Sequence, residues 1–234
     1  MDIREHINEA TGGALKHHRV IEGACYHDGI YYLCFDNISE GTCVVCKVKA
    51  GAQKEVLGAS KPLKIGHAND CCVRDGIIYV THSGSKSVIH RVSADTLEKL
   101  SDIKVKGCEG GFNGISCMGK GYIVKKMYTR KCYILDANFK YKRTLKLSKT
   151  RKDGQGMTWV DGKLYRGASQ LQSTKNYISV YNSKGKCIKE YHYKHKMELE
   201  DVFVFGGKIK AIFYKKYKKN GKKHFEAHIK TIAK

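Results

Sequence analysis

Five polar side chains recur along this chain at similar spacing: Glu22, Asn69, Asn113, Gln155 and Glu200. All are carboxylates or carboxamides. Brought to one axis, five oxygen-bearing tips suit a hard divalent cation such as Ca2+, which takes about six to eight oxygen ligands in flexible geometry. Glu22 and Glu200 would nearly neutralise it. Two positions upstream stand Val20, His67, Gly111, Asp153 and Glu198. Side chains two apart on a strand share a face, so His67, Asp153 and Glu198 form a second tier. His67 and Glu198 are its candidate catalytic acid/base groups. The alternative is a water-filled channel in which these groups bond one another and ordered water.

The elements that must carry them are legible in a repeat. The segments 21–35, 68–82, 112–126, 154–168 and 199–213 align without gaps, starting 47, 44, 42 and 45 residues apart. Four contain a turn pair at one place: Asp28-Gly29, Asp75-Gly76, Asp161-Gly162 and Gly206-Gly207. Such pairs accept the positive φ angles of a two-residue hairpin. The third copy has Gly119-Lys120. Third strands are expected at 87–93, 131–137 and 176–182, and fourth strands at 97–105, 141–147 and 187–193. Four antiparallel strands per repeat make the blade of a β-propeller. The expected fold is therefore all-β: one five-bladed propeller over 1–234, preferred to a sandwich or barrel. Its blades fall roughly at 21–65, 66–110, 111–152, 153–197 and 198–234.

The last repeat ends one strand short, after 224–232. The segment 13–20 is expected to supply that strand and latch the ring, leaving no open edge. Ahead of it, Asp2 as N-cap, Glu5 and the stop Gly12-Gly13 predict a short helix that acts as a plug. In a propeller the first strand of each blade lines the axis. Gly23, Gly114 and Gly156 would keep the backbone bare where the ring is tightest. Trp159, on the first strand of blade four, either walls the ligand funnel or packs between blades. His17 and His18 fall on the latch, and His82 and His90 lie away from the axis.

The formal charge is +22, and residues 1–100 balance at 12 basic and 12 acidic groups. The second half therefore carries the whole excess, densest at 139–152, 191–196 and 213–223. Loose attraction to an anionic polymer through 139–152 and 213–223 is expected, with Phe213, Tyr214 and Tyr217 interleaved among the lysines. Lysine outnumbers arginine 36 to 8, which argues against specific nucleic-acid recognition. Ten cysteines sit in strand-like runs, and Cys43-x-x-Cys46 lacks the second pair of a zinc knuckle. Buried thiols in a reducing compartment are the expectation, which points to the cytoplasm. No run approaches membrane-spanning length, and no nucleophile elbow, P-loop or HExxH motif occurs. The glycine-rich stretch 107–114 leads into a strand, so it lacks a phosphate-binding helix N-terminus.

Several words of the repeat, "ELEDVFVFGGKIKAIFY" (198–214), "QGMTW" (155–159) and "IEGACYHDGIYYLC" (21–34), resemble the plant-type glutaminyl cyclases. The resemblance implies a five-bladed propeller that cyclises an N-terminal glutamine to pyroglutamate in an axial funnel, releasing ammonia. That family carries an acidic residue near the end of blade one's second strand, where Leu33-Cys34-Phe35 stand here. Its tryptophan-lined pocket has Trp159 alone to match.

Three functions follow. The first is a propeller binding a small polar molecule or peptide end with a divalent cation, through Glu22, Asn69, Asn113, Gln155, Glu200, Asp153 and Trp159. The second is a cyclase-, lactonase- or hydrolase-type enzyme in the same pocket. The third is a scaffold whose basic face docks an anionic partner.

Overall fold

The computed structural model describes residues 2–51, 55–84, 86–151, 153–170 and 173–233. Five antiparallel sheets are arranged around an axis. Blade one comprises β1 (Val20–His27), β2 (Ile30–Asn37), β3 (Thr42–Lys49) and β4 (Val56–Ala59). Blade two comprises β5 (Ala68–Arg74), β6 (Ile77–His82), β7 (Val88–Ser93) and β8 (Ile103–Lys104). Blade three runs through β9 (Phe112–Met118), β10 (Gly121–Lys126), β11 (Lys131–Leu135) and β12 (Tyr141–Lys146). Blade four runs through β13 (Gly154–Val160), β14 (Lys163–Ala168), β15 (Asn176–Tyr181) and β16 (Cys187–Tyr193). The fifth has three strands, β17 (Glu198–Phe205), β18 (Lys208–Lys219) and β19 (Lys222–Ala233). The strand expected at 97–105 shrinks to β8 plus one bridge between Val92 and Lys99.

Successive first strands pack on one another, and β17 returns to β1, so the ring closes. Both residues of the four turn pairs have positive φ, from 44° at Asp28 to 81° at Gly29. Those angles give the primed turn whose twist matches the strands. One apolar cluster fills each inter-blade gap; Leu33 and Phe35 of blade one, for example, meet Phe203 and Ile212 of blade five. Burial of these alternate faces is the main force closing the ring.

The latch differs from expectation. Residues 13–19 form turns and irregular chain, and only Val20 joins a strand, β1. Their backbone is already engaged by the helix α1 (Ile3–Ala10): Leu15 N–H donates to Asn8 Oδ1 at 2.9 Å, and Arg4 Nη2 donates to Leu15 O at 2.6 Å. Leu15 is fully buried beside Ile3 and Ile7. The helix itself forms the seam. Asp2 Oδ1 accepts from Arg4 N–H at 3.0 Å as N-cap and from Ala227 N–H of β19 at 2.9 Å. Asp2→Ala removes both bonds, and a lost cap alone costs about 1 kcal/mol. A loss of about 2 kcal/mol in urea unfolding is expected; an unchanged midpoint would show that this clasp carries no stability.

Candidate functional site

A β-bulge marks the ring position in all five first strands. Pairing skips between Ile21 and Gly23, between Ala68 and Asp70, between Gly154 and Met157, and between Leu199 and Asp201. In blade three it skips between Phe112 and Ile115, where Asn113 and Gly114 of β9 stand against Lys125 alone. A bulge frees a residue from the ladder and re-aims it. Here it turns the ring residues inward and releases one backbone N–H per blade.

Those released N–H groups meet two carboxylates on the axis. Asp70 accepts from Cys71 N–H at 2.7 Å, Ile115 N–H at 2.8 Å and Met157 N–H at 3.0 Å. Asp201 accepts from Ala24 and Val202 N–H, both at 2.6 Å. All five donors occupy the same repeat position. The two carboxyls are fully buried and bonded to each other. Burial pushes both well above the carboxylate range; their mutual bond favours the charged form of Asp70 and the neutral form of Asp201. They act as a pin that divides the channel. The bare glycines make room for it: a Cβ on Gly23 would lie 2.8 Å from Ala68 O, and one on Gly156 would overlap the Asp201 carboxylate.

Above the pin lies an acidic pocket. His67, just ahead of β5, has Nδ1 2.8 Å from Asp36 Oδ2 and Nε2 3.3 Å from Glu22 Oε2. Asp36 also accepts from Ala68 N–H at 3.0 Å. Burial raises Glu22 to about 8, with His67 opposing and Asp36 and Glu198 adding to the rise. Burial raises Asp36 to about 6 against the pull of His67. Burial would lower His67, but bonding to Asp36 and the charge of Glu22 outweigh it and leave it raised. Glu200, fully enclosed, is pushed well up by burial and by Glu22, Glu198 and Asp36. Glu198, at the start of β17, is raised by burial and by Asp153; its Oε1 accepts from Gln155 Nε2 at 3.4 Å. Asn113 Nδ2 donates to Gly154 O at 2.8 Å, while the buried Oδ1 atoms of Asn69 and Asn113 have no protein partner.

The structure thus gathers Glu22, His67, Glu198 and Glu200 through their mutual electrostatic effects, and Gln155 by its bond to Glu198. Asp153 is exposed at the rim. Trp159 is elsewhere: it lines a cavity below the pin together with Cys72, Cys117 and Phe203. Two residues of the pocket escaped the sequence reading. Asp36 follows Leu33-Cys34-Phe35 directly, so an acidic side chain does stand at the end of blade one's second strand. Tyr214 occupies the same position on β18, and burial together with Glu200 and Glu22 pushes its phenol upward. Asp36 and Tyr214 share one repeat position on their second strands, and that column is the signal that identifies both. Among the described residues, Glu22, Asp36 and His67 each offer one potential ligand atom within 4.8 Å of the others.

The basic runs sit on different blades. Residues 139–151 include the exposed outer strand β12, with Lys152 outside the described residues; 215–223 form a ribbon where β18 and β19 outrun β17. Phe213 and Tyr214 are buried, which removes them as stacking surfaces and leaves Tyr217, stacked on His224 at 5.2 Å. Among the described residues no helix is long and apolar enough to cross a membrane.

The chain is a five-bladed β-propeller with a carboxyl-pinned axis and an acidic upper pocket. No family model matches it, and no curated protein does. Among solved structures it is similar to the Myxococcus xanthus glutaminyl cyclase, with a TM-score of 0.65 over 92% of both chains at 10% identity. The WD40 domain of Neurospora crassa Pan2 gives 0.50 over 92% of this chain and 63% of that one, at 8% identity. At such identities the shared property is the fold.

Proposed function

We propose that the upper pocket receives the amino end of a small polar molecule or peptide and exchanges protons with it. The observation that carries this reading is the convergence of Glu22, Asp36 and Glu198 on a single imidazole, His67, with Glu200 enclosed beside those carboxyls. An entering ammonium supplies the missing positive charge. Asn69 and Asn113 offer buried carbonyl oxygens to its N–H groups, and Gln155 with Asp153 borders the entrance.

The reaction that suits this pocket is cyclisation of an N-terminal glutamine, as the likeness to the Myxococcus enzyme's fold suggests. The α-ammonium first loses a proton to Glu22 in its ionised form, which becomes populated as pH approaches 8 and which the entering positive charge favours. The free amine attacks the γ-carboxamide carbon, the new ring C–N bond forms and the old amide C–N bond breaks. The ring nitrogen passes its surplus proton through His67 to the departing nitrogen, which leaves as ammonia, and the proton first taken by Glu22 goes to solvent. Asp36 holds His67 in orientation.

The test compares a glutamine-initiated peptide with its N-acetylated form by thermal shift and by ammonia release. Stabilisation by the free-amine peptide alone, lost in Glu22→Gln, is expected. Equal effects of both peptides would overturn amine recognition, and binding without ammonia would reduce the reading to a binding propeller. Chelator-reversible stabilisation by Ca2+ or Zn2+ alone would instead assign the carboxylates to a cation. The lysine-rich ribbon is read as a loose contact for anionic polymers, which salt should dissolve.

A further inference from the structure

Below the pin the channel changes chemistry. A cavity of about 180 Å³ opens among the ends of the first strands, lined by Cys25, Cys71, Cys72, Cys117, Met157 and Trp159. Its thiols come in pairs that bridge blades. Cys71 Sγ of blade two lies 3.3 Å from Cys25 Sγ of blade one, while Cys72 of blade two and Cys117 of blade three line the cavity from one inter-blade cluster, with Cys117 Sγ donating to Val73 O at 3.5 Å. All four are free thiols, and the first pair is buried. Cys117 is half-buried and also lines the neighbouring surface hollow beside Arg74, so its pair is the reachable one.

We propose that this lower mouth is a thiophilic metal site in which Cys72 and Cys117 hold one soft monovalent ion, Cu(I), between their sulfurs. Three features favour that class. Thiolates select soft ions. Among the described residues no three cysteine sulfurs lie within 4.8 Å of one another, so the site offers two sulfurs rather than the four ligands of structural Zn2+. A positive charge is also fixed alongside: the Arg74 guanidinium is held by Gly119 O at 2.7 Å and by Lys120 O and Gly121 O, both at 2.9 Å. On binding, both sulfurs must be thiolates and their protons leave to solvent. The bis-thiolate Cu(I) unit carries one net negative charge, which Arg74 offsets.

The single tryptophan of the chain reports on the site, because Trp159 lines the same cavity. The reduced protein is titrated anaerobically with Cu(I) against bicinchoninate. One equivalent should be withdrawn from the chelator, with quenching of Trp159 emission. Cys117→Ser, at a half-buried position, and Cys72→Ser should each abolish the withdrawal, whereas Cys187→Ser, outside the cavity, and Glu22→Gln should not. Variant melting temperatures guard against misfolding. The proposal is overturned if the wild type cannot compete, if the Cys72→Ser/Cys117→Ser double variant still takes up copper, or if Zn2+ binds as tightly. Because Glu22 is on the other side of the pin, the outcome is independent of the reading of the upper pocket.

Discussion

Asp70→Ala should yield a chain without a cooperative melt. The substitution strips the acceptor from three buried N–H groups, those of Cys71, Ile115 and Met157, which come from blades two, three and four. Each orphaned donor costs about 1–3 kcal/mol, so the sum is on the order of 5 kcal/mol, comparable to the whole stability of many domains. No relaxation of one blade can restore them, because the donors approach from three sides. The two partners also predict an asymmetry. Asp201 favours its proton and can donate to Asp70, so Asp201→Asn keeps that donor and loses the acceptor of one backbone N–H, that of Ala24 or Val202. Asp70→Asn points its –NH2 at one or two backbone N–H groups and also removes the carboxylate that accepts from Asp201. The Asn variant at 70 should therefore lose markedly more stability than that at 201, as read from urea midpoints. An Asp70→Ala protein that melts within about 1 kcal/mol of wild type would remove the pin from the account of the fold.

The second large effect is on pH. Glu22 holds its proton to about 8 in the fold, against an ordinary 4.5. Below pH 4.5 both folded and unfolded chains are protonated at this group. Between 4.5 and 8 the folded chain retains the proton that the unfolded chain has lost, so stability falls as pH rises and the contribution is gone above 8. Asp36, raised to about 6 from 3.8, acts with the same sign in a lower window. At about 1.4 kcal/mol per pH unit, the Glu22 shift amounts to a loss on the order of 5 kcal/mol that is shared with its neighbouring carboxyls. The melting temperature should decline from pH 5 to 8, and Glu22→Gln, which has no proton to lose, should flatten the decline. A wild-type profile flat across this range, or an unchanged slope in Glu22→Gln, would show that Glu22 ionises freely.

How far these groups were readable depends on which physical rule placed them. Glu22, Asn69, Asn113, Gln155 and Glu200 stand out because equivalent residues of a cyclic repeat must surround the axis. The glycines at 23, 114 and 156 stand out because the ring is tightest there. The bulge left no mark in residue type, since it is a displacement of backbone pairing. Without it the role of Asp70 and Asp201 as acceptors for all five blades stayed hidden. Asp36 and Tyr214 lie on second strands, and their approach to the axis depends on how steeply each blade tilts. Trp159, for which the sequence leaves open the funnel wall or a place between blades, stands four strand residues beyond Gln155, and that length carries the chain past the pin to the other mouth.

By itself the sequence determined the fivefold repeat, the primed turns, the capped helix and the column of polar residues, because each follows from local chain geometry or repetition. Tertiary structure alone decided how the ring is fastened and how the channel is partitioned. The segment after α1 had strand-like residues, but its backbone bonds went to Asn8 and Arg4. The carboxyls of Asp70 and Asp201 became a partition only when five blades delivered their N–H groups to one point. Contacts between groups as far apart as Ala24 and Asp201 depend on closure of the whole ring, and no local pattern encodes them.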